Sequence, residues 1–143
     1  MSKVLQIPNY QYPHIGGIEQ VSRDIARVLN TEEIEQKIIC FNEDAQDEEY
    51  ICRRRETTHD MVDGVEVIRC GCFAKVASQS LSLTYFGELR RVMDDFKPDI
   101  VVFHYPNPFA AFLLMRYKKR DFKLLLYWHL DITKQKLLRK IFH

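Results

Sequence analysis

KVLQIPN at residues 3–9, YQYPHIGG at 10–17 and the segment after it, in which Ile18, Val21, Ile25 and Val28 recur three, four and three residues apart, decide the fold class. The first stretch is short and apolar, as a buried strand is. The second carries the Pro and Gly punctuation of a loop. The third places one apolar stripe on a helix that ends near Leu29 and Asn30. QKIICFN at 36–42 then reads as a second buried strand, so the chain opens as strand, helix, strand with a glycine-rich first turn.

Working outward, residues 43–64 interrupt this rhythm. Five of the seven residues of EDAQDEE are acidic and a triple Arg follows, which predicts an exposed excursion. It closes in VDGVEVIRC, where Asp63 and Gly64 mark a tight turn before a third strand over Val65–Cys70. Residues 71–79 read as loop. Leu81, Tyr85, Leu89, Val92 and Phe96 then repeat at helical spacing, with Ser80 as the expected N-cap and Pro98 as the stop. PDIVVFHY is a continuous apolar run of the kind buried on both faces of a parallel sheet. PNPFAAFLLMRYKKR predicts a helix with Pro at its start, FKLLLYWH a fifth strand, and DITKQKLLRKIFH a last helix capped by Asp131.

Strands alternating with helices imply an α/β fold, a Rossmann-like doubly wound parallel sheet with right-handed crossovers. The expected strand order is 3-2-1-4-5. Ligands of such sheets sit beyond the carboxyl ends of the strands where the order reverses, here between the first and fourth. YQYPHIGG after the first strand, FHYPNP closing the fourth and YWHLD closing the fifth should therefore share one cleft.

Composition bounds the class. The 143 residues carry 46% hydrophobic side chains and a net charge of +1, which suits one folded domain and excludes a disordered or fibrous chain. No apolar run approaches the roughly 18 residues that span a bilayer, and MSKVLQIPNY lacks the apolar core of a signal peptide, which predicts a cytoplasmic protein. Cys40, Cys52, Cys70 and Cys72 contain no C-x-x-C pair and read as reduced, structural thiols. The charge is uneven: residues 116–143 hold nine basic and two acidic side chains. That basic end suits phosphate, an anionic leaflet in peripheral contact, an acidic partner, or plain solvation. Nothing points to nucleic acid.

Few residues can carry chemistry. Gly16 and Gly17 precede a helix, so bare backbone and the positive helix end can approach a phosphate or a sugar hydroxyl, or the pair simply makes a tight turn. Neither G-x-G-x-x-G nor a P-loop is present. His14, His104 and His129 converge on one predicted sheet edge as donors or as structural side chains. Asp131 is a helix cap or a carboxylate partner for His129. Tyr12, Tyr105 and Asn107 would line a sugar site or pack the loops. No metal-ligand cluster and no Ser-His-Asp order stands out.

YPHIGGIEQVSRDIARVL, DGVEVIRC, KPDIVVFHYPNP and above all YWHLDITKQKLL together resemble the N-terminal domain of a retaining glycosyltransferase of the GT-B fold, in glycosyltransferase family 4, over nearly the whole chain. The WH-x-DI-x-x-QK segment is similar to mannosyltransferase-like enzymes that build surface polysaccharides, with Leu130 where the family usually has Ser. The resemblance implies an acceptor-side domain, residues 1–143, serving a nucleotide-sugar donor and a saccharide or lipid-linked acceptor with no further cofactor. It implies that Gly16 and Gly17 lie near the donor diphosphate, that His129 reaches the donor sugar with Asp131 beside it, and that His104, Tyr105 and Asn107 lie on the acceptor side.

In this family the donor is held by a second domain bearing E-x7-E. Glu35 with Glu43 and Glu48 with Glu56 match that spacing, but on a strand and in an acidic loop, so both read as coincidence. The expectation is that the chain stops short of the second domain and does not turn over alone. Two other readings stay open: a flavodoxin-like binding or regulatory module, against whose phospho-receiver version Asn9 and Cys70 argue, and a nicotinamide-dependent oxidoreductase with Glu43 on the ribose.

Overall fold

In a computed structural model the chain is described over residues 2–8, 17–42, 57–72, 74–76, 79–105, 107–116 and 121–128. Strands β1 (Ser2–Ile7), β2 (Ile34–Asn42), β3 (Thr58–Val62), β4 (Val65–Gly71), β5 (Ala74–Val76), β6 (Gln79–Leu81), β7 (Ile100–Tyr105) and β8 (Lys123–Trp128) alternate with helices α1 (Gly17–Val28), α2 (Tyr85–Arg91) and α3 (Pro108–Arg116). Six strands form one sheet in the order β3-β4-β2-β1-β7-β8, and β5 with β6 make a separate two-stranded ribbon. Every neighbouring pair in the large sheet is parallel except β3 and β4. The expected order of five parallel strands is therefore present as β4-β2-β1-β7-β8, and it reverses between β1 and β7.

The excursion before β4 ends differently from the expectation. Residues 58–62 form an antiparallel edge strand on β4, with Val62 opposite Val65 across a two-residue turn. Asp63 (φ 52°) and Gly64 (φ 81°) both adopt left-handed backbone, the geometry whose twist matches a hairpin. Arg69 on β4 reaches Asp60 of β3 at 3.0 Å, and Arg23 of α1 holds Asp63 at 2.8 Å. That guanidinium keeps the Asp63 carboxyl below its ordinary value.

Two further expectations are corrected. The loop read over 71–79 contains β5, and Leu81 pairs with Ala74 in the ribbon instead of starting the second helix. The four-residue step from Leu81 to Tyr85 fits a helix by spacing alone, but the backbone bonds of 79–81 are spent across strands. α2 therefore begins after Thr84, not Ser80, and Glu88 N donates to Thr84 O at 2.9 Å. Its continuation, Val92–Phe96, widens to a π turn and stops at Lys97, which is left-handed (φ 52°) just before Pro98.

The sheet separates two unequal layers. On one side Leu5, Ile7, Ile39, Phe41, Ile68, Val101 and Phe103 pack against Tyr85, Leu89, Met93 and Phe96 from α2 and its π turn and against Ala110 and Leu114 of α3. The Phe41 and Tyr85 rings stack at 4.7 Å. Each such large side chain contributes about 1.5–3 kcal/mol on burial. On the other side α1 lies over Ile38, Cys40 and Val67 through Ala26. Here the expected apolar stripe is only half-buried at Val21 and Ile25, and the residues beside it go deeper. Ser22 and Ala26 are buried and Val28 is 78% exposed. The sheet beneath α1 presents amides, and Gln6 Nε2 and Gln36 Nε2 donate to the Ser22 and Ala26 carbonyls at 3.0 and 2.9 Å. Small side chains on α1 let those carbonyls come down to the sheet.

Candidate functional site

The carboxyl ends of β1, β2 and β7, with the start of α1, gather most of the deeply buried polar groups among the described residues. Gln6 and His104 are next to last in β1 and β7, and Asn42 ends β2; all three are enclosed. Glu19 and Ser22, from the first two turns of α1, are buried above them. Polar side chains do not collect in a core unless hydrogen bonds offset their desolvation. The bonds here run across elements: His104 Nε2 to Gln6 Oε1 at 2.9 Å, and Gln6 Nε2 to Ser22 O at 3.0 Å. The place where strand order reverses is therefore laced by side-chain bonds between β1, β7 and α1.

Gly17 opens α1 and is exposed, and a Cβ built there meets nothing within 4 Å. The fold itself does not require glycine at this position. Among the described residues nothing fills the place of a Gly17 side chain, and a helix N-terminus favours negative charge. Tyr105, the last residue of β7, is half-buried with its ring 6.5 Å from Phe103. The Tyr127 ring of β8 flanks His104 at 5.8 Å.

Asn107, expected on the acceptor side, is wholly buried and caps α3: its Oδ1 accepts from Ala110 N at 3.2 Å, with Pro108 at the first helical position. It sits beside the Tyr85 phenol, which burial pushes well above its ordinary value and the Asn107 amide opposes. His104 is likewise enclosed, so among the described residues of the expected acceptor side Tyr105 alone reaches the surface. Tyr12, His14, Gly16, His129 and Asp131 lie outside the described residues, as do Lys134, Lys136, Arg139 and Lys140 of the basic end. Glu43, Glu48 and Glu56 lie outside them too, whereas Glu35 is exposed near the start of β2, at the opposite end of the sheet from the strand ends.

Sequence reasoning passed over Gln6, Glu19, Ser22 and Asn42. The signal was present in two of them: a Gln inside the apolar run VLQI and an Asn closing ICFN. Cys40, Cys70 and Cys72 are buried free thiols, and burial pushes Cys40 up to about 12 against the nearby Arg69. Such a thiol is a packing group, not a nucleophile. Among the described residues no group of three His, Cys, Asp or Glu side chains is arranged to hold a metal ion. No described helix is long and apolar enough to cross a membrane.

Residues 15–143 match the family described as Glycosyltransferase Family 4. The chain is also 28% identical over 141 residues to the O-antigen chain mannosyltransferase C of Escherichia coli, a match covering 98% of this chain and 34% of that protein. The chain thus spans about a third of the length of this relative.

Proposed function

The chain belongs to glycosyltransferase family 4, and on that premise we propose that it is the acceptor-side half of a retaining GT-B transferase that moves a mannose-like sugar from a nucleotide-sugar donor to a saccharide or lipid-linked acceptor in surface polysaccharide synthesis. Its sheet has the Rossmann-like layout of one half of such a fold. The observation that supports the reading most is the junction of β1 and β7, where enclosed Gln6 and His104 are bonded to each other and to α1 at Ser22. A sugar diphosphate is favoured by what a helix N-terminus offers, backbone N–H groups and a positive dipole end. A sugar acceptor needs aromatic surface and hydrogen-bond partners, which the end of β7 offers through Tyr105.

In this reading Gly16 and Gly17 border the donor diphosphate, His129 meets the donor sugar with Asp131 next to it, and Tyr105 lines the acceptor side together with Tyr12 and His14. His104 and Asn107 support that side from within. The name of the E. coli relative agrees with a mannosyl donor and a polysaccharide product.

The test is His129→Ala in the full-length protein, assayed with a nucleotide-mannose donor and lipid-linked acceptors. A positioned hydrogen-bonding or acid group at a reacting centre is typically worth ~10²-fold or more in rate, so turnover should fall by that factor while the melting temperature stays near the parent's. A lower melting temperature with normal turnover per folded molecule removes His129 from the site. Absence of transfer by the parent protein from any sugar nucleotide removes the reading.

A further inference from the structure

Gln6 is the only polar residue in the buried run Val4–Ile7 of β1, and an aliphatic side chain would occupy the same place without having to lose its hydration. Its two bonds define its orientation. The Ser22 carbonyl can only accept, so the Gln6 amide must point its Nε2 there and its Oε1 at His104. Gln6 Oε1 in turn can only accept, so His104 Nε2 carries a proton whether the ring is neutral or charged.

A second amide provides an internal contrast. Gln36 on β2 makes the same kind of bond to the same helix one turn on, from its Nε2 to the Ala26 carbonyl at 2.9 Å. Its Oε1 is buried and takes no hydrogen bond, whereas the Oε1 of Gln6 holds the imidazole. Both amides fasten α1 to the sheet, and only Gln6 connects that fastening to the end of β7.

We propose that Gln6 is a positioning residue for the acceptor side of the site: through His104, which it fixes in the Nε2–H form, it sets the end of β7 and with it the backbone of Tyr105, whose ring packs against the apolar cluster on the other face of the sheet and whose exposed part would meet a hydroxyl-bearing saccharide. His104 is wholly enclosed and serves the wall of the cleft, not the ligand directly. The relay itself stands on the three buried residues. Its effect on an acceptor rests on the transferase reading above.

Two measurements on the full-length protein test the two parts separately. Nitrogen-15 NMR of the His104 ring reads the tautomer. The parent and Gln36→Leu should both show the ring protonated on Nε2, and Gln6→Leu should show a mixture or the opposite form. Gln6→Glu keeps an oxygen against the ring and should restore Nε2–H, which guards against a Gln6→Leu protein that folds poorly. An Nδ1–H ring in the parent, or a tautomer indifferent to Gln6→Leu, overturns the relay. Steady-state transfer reads the consequence: Gln6→Leu should raise the acceptor KM about fivefold, the factor of one ordinary hydrogen bond, with kcat little changed, and Gln36→Leu should leave both where they were. An unchanged acceptor KM in Gln6→Leu overturns the positioning role. Absence of any transfer by the parent overturns the transferase reading and the acceptor role with it, while the tautomer still decides the relay.

Discussion

The two faces of the sheet hold their helices by different physics. The face under α2 and α3 is filled with large apolar side chains, among them Phe41, Tyr85, Leu89, Phe96 and Phe103, in one continuous cluster. The face under α1 is thinner and polar: Ser22 and Ala26 lie against it, Gln6 and Gln36 bond the helix carbonyls, and Arg69 is enclosed beside Asp60. Stability is therefore concentrated on the first face and orientation on the second. Area burial does not care about the angle of a side chain, whereas a hydrogen bond weakens steeply as its angle departs from linear. The β1–β7 junction uses the second kind of fastening.

Substitutions on each face would break or sharpen this division. Phe41→Ala removes a ring that is 1% exposed and stacked on Tyr85, and large-to-small changes of this sort cost ~3–5 kcal/mol. Urea denaturation should show that loss; a cost under about 1 kcal/mol would mean that the apolar face is not the main source of stability. Arg69→Met on the α1 face should cost less, about 1–3 kcal/mol. The Arg69 side chain is only 4% exposed, but the Asp60 carboxylate left behind is 36% exposed and can take up water again. If it matches Phe41→Ala, the α1 face contributes as much as the other and the contrast between them dissolves. Val28→Lys should change stability by less than about 0.5 kcal/mol, because Val28 is 78% exposed despite its place in the apolar periodicity of α1. A clear destabilisation there would restore the stripe as the buried face of the helix.

The edges of the sheet differ as well. β3 is five residues long and carries His59 and Asp60, which pair with Glu66 and Arg69 of β4, so its composition suits a boundary. Lys37 reaches the same Glu66 carboxylate at 3.1 Å; burial opposes ionisation there, but His59 and Lys37 outweigh it and hold the group below its ordinary value. β8 is KLLLYW, with Leu124, Leu125, Leu126 and Tyr127 about half exposed among the described residues. Its composition is that of an interior strand of a parallel sheet.

The sequence by itself determined the parallel strands and their order, because continuous apolar runs separated by amphipathic helices admit few other arrangements. It also marked the Asp63–Gly64 turn, since two consecutive left-handed residues favour that pair. It did not reveal that residues 58–62 would pair with β4: THDMV has neither the length nor the hydrophobicity of a core strand, and an edge position removes the need for either. Nor did it show which side of α1 is buried. Periodicity counts apolar residues, but the face a helix buries is chosen by what lies beneath it, and beneath α1 lie two glutamines that call for carbonyls and small side chains. For the same reason the link between Gln6 and His104 was decided only in three dimensions. The two residues are 98 positions apart in the chain, and a single-residue reading of either finds a polar side chain in an apolar strand without finding the partner that satisfies it.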